Sequence, residues 1–298
     1  MSAGQIHDLG YKRYVGSRRS AGTRWTVIMR HQIATGWKTW WRFKVWLVLA
    51  VLATGIPAAL LYVFSNSVLR MFKGFGANTA PFIDTILPLS LIWYCKIGFL
   101  ASLFLTVPTV AGDIQSGAFT FYFARSLRPR DYVIGKLAGL GALISLIMLV
   151  GPVLLAGARL GLSDNLDQLI ALLPTLPKAL AIGALGTLIY TAVPLGFSAV
   201  LSNRGYAMAL WVAYYVVFSN MVVLLSLVTS PTLAALDLPS ALQAVALHLF
   251  DLQNGGRRSM EIPGTVALAS ILGHAAIAIG LVFLRVRSAQ RTGVGGAS

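Results

Sequence analysis

The densest run of chemically active side chains lies at residues 112–136, GDIQSGAFTFYFARSLRPRDYVIGK. Asp113, Arg125, Arg128, Arg130, Asp131 and Lys136 stand there among Phe119, Tyr122, Phe123, Pro129 and Tyr132. Arginines and aromatics at this density suit recognition, either of lipid phosphate or of a groove in a partner protein, and not bond-making. Gly135-Lys136 is followed by Leu137 and lacks the upstream glycine of a phosphate loop, so no nucleotide cradle is read here. Ser198 and His274 are the other pair with hydrolytic character. Val200 stands where a nucleophile elbow needs glycine, and the depths of the two residues in their apolar runs differ by on the order of 15 Å. His7, His31, His248 and His274 show no metal-ligand spacing, and Cys95 is the single cysteine. Lys96 sits inside an apolar run, where a lysine costs roughly 2.5–3.5 kcal/mol unless it meets water or a partner. It marks either a transport pathway or a side chain snorkelling to the surface. Asn220, with Ser219, Ser226, Ser102 and Thr106, either lines an inner face or bonds along its own helix.

The elements that must hold these residues are set by composition. Of 298 residues, 57% are hydrophobic and 11% charged, against about 25% charged in soluble domains, and mean hydropathy is +0.75. Six runs are long enough to cross a bilayer, at 43–64, 86–110, 137–157, 178–201, 206–229 and 265–284. The net charge of +15 is carried at the flanks of these runs, which fits anionic headgroups and not a nucleic-acid groove. Nine Lys and Arg lie up to the start of the first run, four in 111–136, one in 202–205 and three in the tail, against six on the opposite side. This bias places both termini in the cytoplasm of a cell inner membrane. The expected division is a basic tail over 1–22, a six-span unit with a preceding helix over 23–284, and a flexible tail over 285–298. No cleavable leader is read before residue 43, so the first run is expected to direct insertion.

Upstream of the first run, Trp25, Ile28, Met29, Ile33, Trp37, Trp40 and Trp41 recur every three to four residues, with Arg24, Arg30, His31 and Lys38 between them. The pattern predicts an amphipathic helix along the inner membrane surface, weakened slightly by Gly36. In the 111–136 loop, GAFTFYFARS predicts a short helix with Phe119, Tyr122 and Phe123 on one side. Pro129 and Asp131 then suit the first turn of the next helix. Between 230 and 264, PSALQAVALHLF is apolar but too short to span, and is expected at the interface or re-entering partway.

Asp113, Gly117, Ala124, Arg125, Tyr132, Gly135 and Lys136 together resemble the intracellular loop of ABC transporter permeases of the type-two (type V exporter) class. In that family an Ala-Arg-Pro is usual; here Ala124-Arg125-Ser126 is followed by Leu127-Arg128-Pro129-Arg130, with the proline displaced. The surface helix, six spans and long outer loop with short apolar helices resemble the same class. The resemblance implies an all-α integral membrane permease paired with a second copy as a homodimer, and with separate ATP-binding cassette ATPase subunits. ATP and Mg would sit on those partners, with no cofactor on this chain. It also implies a coupling helix that includes Asp113, Gly117, Phe119, Tyr122, Phe123, Arg125, Arg128, Arg130 and Lys136. Trp25, Arg30, Trp37, Trp40 and Trp41 would support it from the membrane surface. Two other classes remain open: an intramembrane serine protease resembling the rhomboids, through Ser198 and His274, and a passive channel or scaffold.

Overall fold

In hydrocarbon every backbone N–H and C=O must be satisfied within the protein, which leaves a chain this apolar with helices. The computed structural model describes residues 21–65, 80–124, 127–252 and 261–292, and no strand occurs among them. Six segments are long and apolar enough to cross a membrane: Lys44–Ser65, Thr85–Gln115, Pro129–Gly161, Leu166–Val200, Arg204–Ser226 and Gly264–Arg291. These are spans one to six of an all-α, multi-pass membrane protein. The helices are α1 Trp25–Lys38, α2 Lys44–Ser65, α3 Ala80–Leu105, α4 Pro108–Gln115, α5 Ala118–Ala124, α6 Pro129–Met148 and α7 Val150–Gly161. They continue with α8 Leu166–Leu172, α9 Thr175–Val200, α10 Arg204–Val212, α11 Ser219–Ser226, α12 Leu238–Leu249 and α13 Gly264–Thr292.

Several spans are broken, for identifiable reasons. Span two divides ahead of Pro108, which opens α4 where a missing N–H costs nothing. Span three divides at Leu149, since Pro152 cannot donate to the Met148 carbonyl four residues back. Span five carries a π-helical segment over Ala213–Phe218, between α10 and α11. The six runs expected from sequence are thus all present, but span three starts at Pro129, eight residues before its expected boundary.

Spans four and six pack most closely. A Cβ added to Gly196 would stand 2.7 Å from Ala278 Cβ, the small-on-small contact by which helices associate without a hydrophobic drive. On the outside, Val51, Leu52 and Ile56 of span one and Val217, Met221 and Leu224 of span five are exposed, as lipid-facing or subunit-facing surfaces are. The segment α12 is buried among spans two, four and six, with Ala241, Leu242, Ala244 and Ala246 inside. Its Leu242 reaches Gly186, in the middle of α9. The helix therefore enters the bundle partway, and of the two expectations the re-entrant one fits.

One end of the bundle gathers several elements. Arg204 Nε donates to Gln115 Oε1 at 3.3 Å and Arg285 Nη2 to Ser202 Oγ at 3.0 Å. This brings together the 113–136 segment, the turn between spans four and five, and the end of span six. The last helix runs on to Thr292, so the expected flexible tail from 285 is helical over its first eight residues: no proline or glycine interrupts Arg285–Thr292.

Candidate functional site

The 113–136 segment is shaped by local backbone chemistry. After α4 the chain reverses through Ser116 N–H to Gly112 O at 3.0 Å and Gly117 N–H to Ile114 O at 3.1 Å. Gly117 has φ +67°, a left-handed conformation that glycine adopts without steric cost, as at many helix ends. The short α5 follows at once. Past it, Arg128 N–H donates to Asp131 Oδ2 at 3.3 Å and Pro129 occupies the first turn of α6, which is the helix start expected from sequence.

Between these turns lies a buried polar cluster. Asp113 Oδ2 accepts from Tyr132 Oη at 2.6 Å and pairs with Lys136 Nζ at 2.9 Å. The same ammonium donates to Gln32 Oε1 at 3.0 Å. Lys136 is 4% exposed and Gln32 6%, so the charge is withdrawn from solvent and compensated by a carboxylate and an amide. The cluster ties together α1, α4 and α6. Three of its members come from the loop motif. Gln32 was not singled out from sequence, although it is the one polar residue in the Ile28-Gln32-Gly36 line that α1 buries.

Small residues make room for this contact. A Cβ on Gly135 would meet Trp25 O and Ile28 Cβ at 2.7 Å, and one on Gly139 would meet Gln32 Cβ at 2.8 Å. From Ile28 to Gly36, α1 advances eight residues while its neighbours advance from Gly135 to Leu143. The two helices are therefore aligned, and α1 packs along span three instead of lying flat across its end. Gly36, read from sequence as a mild weakness, is a close-approach point: a Cβ there would lie 2.6 Å from Leu143 Cδ1. Arg30, Trp37, Trp40 and Trp41 remain exposed and Trp25 is half-buried. Lys44 Nζ stands 6.0 Å from the Trp37 ring and 5.9 Å from that of Trp40, a cation–π arrangement at the start of span one.

The aromatic face of α5 turns inward. Phe119 is 1% exposed, with ring centroids 5.3 Å from Tyr132 and 5.7 Å from Phe123, and Tyr122 lies 5.7 Å from Tyr132. These residues fasten α5 to the bundle. Burial, and then the Asp113 carboxylate, push the Tyr122 phenol up to about 12. The outward aromatic is Phe121, 77% exposed. Sequence gave it no distinction, because the i, i+3, i+4 pattern of Phe119, Tyr122 and Phe123 drew attention to the other face. Arg128 and Arg130 are exposed, Arg130 Nε lying 3.9 Å from Asp131. Arg125 lies outside the described residues, as does the N-terminal IHDLGYKRYVGSR.

Elsewhere, Lys96 is exposed on span two with Nζ 4.9 Å from the Trp93 ring. It borders a recess of about 210 Å³ with Tyr215, Ser240 and Gln243, and no carboxylate pairs with it among the described residues. Asn220 is exposed and donates to the Val216 carbonyl, so it bonds along its own helix and faces away from the bundle. Ser198 Oγ accepts the Ala111 N–H at 2.9 Å, while His274 Nδ1 lies 2.8 Å from Ser270 O. The two do not meet. Trp211 and Tyr94 are core residues, bonded to Ser102 and Thr54. No cluster of three or more metal-ligating side chains occurs among the described residues. Comparison with known proteins returns no matching family model and no matching curated protein.

Proposed function

We propose that this chain is the permease subunit of an ATP-driven exporter of the ATP-binding cassette type. Its six spans would line a path shared with a second copy, and separate ATPase subunits would hold the ATP and Mg. The observation that carries this reading is the buried Gln32–Asp113–Tyr132–Lys136 cluster. It holds a seven-residue helix, α5, rigidly beneath two spans, and a rigid short helix is the part that can pass a partner's movement to a membrane bundle. The residues that resemble the exporter loop, Asp113, Gly117, Tyr132, Gly135 and Lys136, each have a distinct task there: ion pair, left-handed turn, hydrogen bond, close approach and buried cation.

In this reading the end of the bundle bearing α1 and α5 faces the cytoplasm, in keeping with its excess of Lys and Arg. Closure of the ATPases on nucleotide would push on α5, whose outward residues are Phe121 and the neighbouring Arg128 and Arg130. The strain would travel through Asp113 into span two and through Lys136 into span three. Cargo is expected to be lipid-like or apolar, since the spans offer no ring of charge. The protease alternative is disfavoured because Ser198 Oγ accepts the Ala111 N–H and His274 bonds to the Ser270 carbonyl, so that no Ser198–histidine hydrogen bond occurs among the described residues.

The test is copurification. Tagged chain should retain an ATP-binding cassette partner. Phe121→Ala combined with Arg128→Glu should weaken that retention at least tenfold while the melting temperature stays within a few degrees. Undiminished retention by this variant, or the absence of any nucleotide-hydrolysing companion, would count against the reading.

A further inference from the structure

A recess of about 250 Å³ opens between α1, the α3–α4 break and the start of α10. Its cationic lining comes from Arg42, Arg204 and Lys136, with His31 at its edge and Asp113 as the one carboxylate. Asp113 is held by Lys136 at 2.9 Å, so that pair is neutral as a unit. The Arg42 and Arg204 guanidiniums are left in excess, and neither forms an ion pair among the described residues. The Lys136 ammonium, 4% exposed, is already engaged by Asp113 and Gln32 and stands 5.4 Å from the Tyr132 ring.

The lining also carries Gln32, Thr35, Thr109 and Ser116 beside the apolar Phe104, Leu105 and Pro108, and the Phe104 ring stacks on Trp46 at 5.6 Å. The recess thus combines cations, neutral polar groups and hydrocarbon at the end of the spans, close to the exposed Trp40 and Trp41. Belts of tryptophan with basic residues occupy headgroup depth.

We propose that this recess seats one anionic glycerophospholipid, with its phosphate between Arg42 and Arg204 and an acyl chain along Phe104 and Trp46. A bound phosphate would complete the charge balance of the α1–α4–α6 cluster from outside. The lipid would then act as a structural ligand of the helix that holds α5. The proposal rests on the membrane-spanning fold alone and stands or falls independently of the exporter reading.

Native mass spectrometry of the full chain, released from nanodiscs of equal phosphatidylglycerol and phosphatidylcholine, tests it. The unmodified chain should retain one phosphatidylglycerol with at least tenfold preference. Arg42→Gln/Arg204→Gln should abolish that preference, whereas Arg42→Lys/Arg204→Lys should keep most of it. Arg130→Gln, at an exposed site outside the recess, should leave it unchanged. Equal retention of both lipids by the unmodified chain, or an undiminished preference in the double glutamine variant, overturns the proposal. Displacement of the lipid by millimolar inorganic phosphate would also overturn it, in favour of a site for a soluble anion.

Discussion

Lys136 illustrates how one side chain constrains its neighbours. Removing one partner of a buried pair leaves the other charge uncompensated and costs about 3–5 kcal/mol, whereas removing both costs far less. Lys136→Met and Asp113→Asn are each expected to lower stability on that scale, and the double variant should fall well short of their sum. Thermal unfolding of the four proteins in detergent measures the coupling. Lys96 differs: it is exposed at mid-span, with an aromatic ring as its near neighbour. Lys96→Met should leave the melting temperature nearly unchanged and, if the proposed exporter reading holds, reduce transport several-fold; unchanged transport would remove Lys96 from the proposed pathway. The polar members of the cluster Asp113, Tyr132 and Lys136 were legible in sequence because charge is scarce in this chain. Gln32 was not, because a neutral amide on an amphipathic helix looks like any solvated residue until its neighbour is known.

At the level of elements, the interface between α1 and α6 depends on the absence of side chains at three positions, Gly36, Gly135 and Gly139. Gly139→Leu would drive four heavy atoms into Met29 and Gln32, where even a Cβ lies 2.8 Å from Gln32 Cβ. Overpacking of this kind costs about 1–3 kcal/mol or more. The expected result is detachment of α1, read as faster proteolysis within residues 25–38 while the spans stay protected. Arg204→Gln, outside that interface, should not produce it. The existence of α1, α5 and the six spans could be read from hydropathy, proline and glycine. Their facing could not. Helical periodicity identifies a stripe but not its partner: the Phe119 stripe was legible, its packing on Tyr132 of span three was not. The same limit explains why α1 was expected flat on a membrane and instead lies along a protein helix.

For the whole molecule, the exposed apolar surfaces of spans one and five are where lipid or a second copy must lie. Crosslinking of single cysteines at Val217 or Leu224, in a Cys95→Ala background, should trap a dimer if span five lies between copies, with Val51 as the comparison on span one. Six crossings were legible because about 20 apolar residues are a strong signal. The breaks at Leu149 and in the π segment Ala213–Phe218 were not, since a helix interrupted for one turn keeps its hydropathy. The partial entry of α12 has a consequence for biogenesis. Twelve residues too short to be retained by themselves rest on α13, where a Cβ added to Gly264 would stand 3.1 Å from the His248 ring. The ribosome releases α13 after α12. Until it arrives, α12 lacks one of its three walls, so the newly made chain must complete its sixth crossing before the preceding segment is fully enclosed, and a nascent protein stalled before Gly264 would present that segment to quality-control proteases.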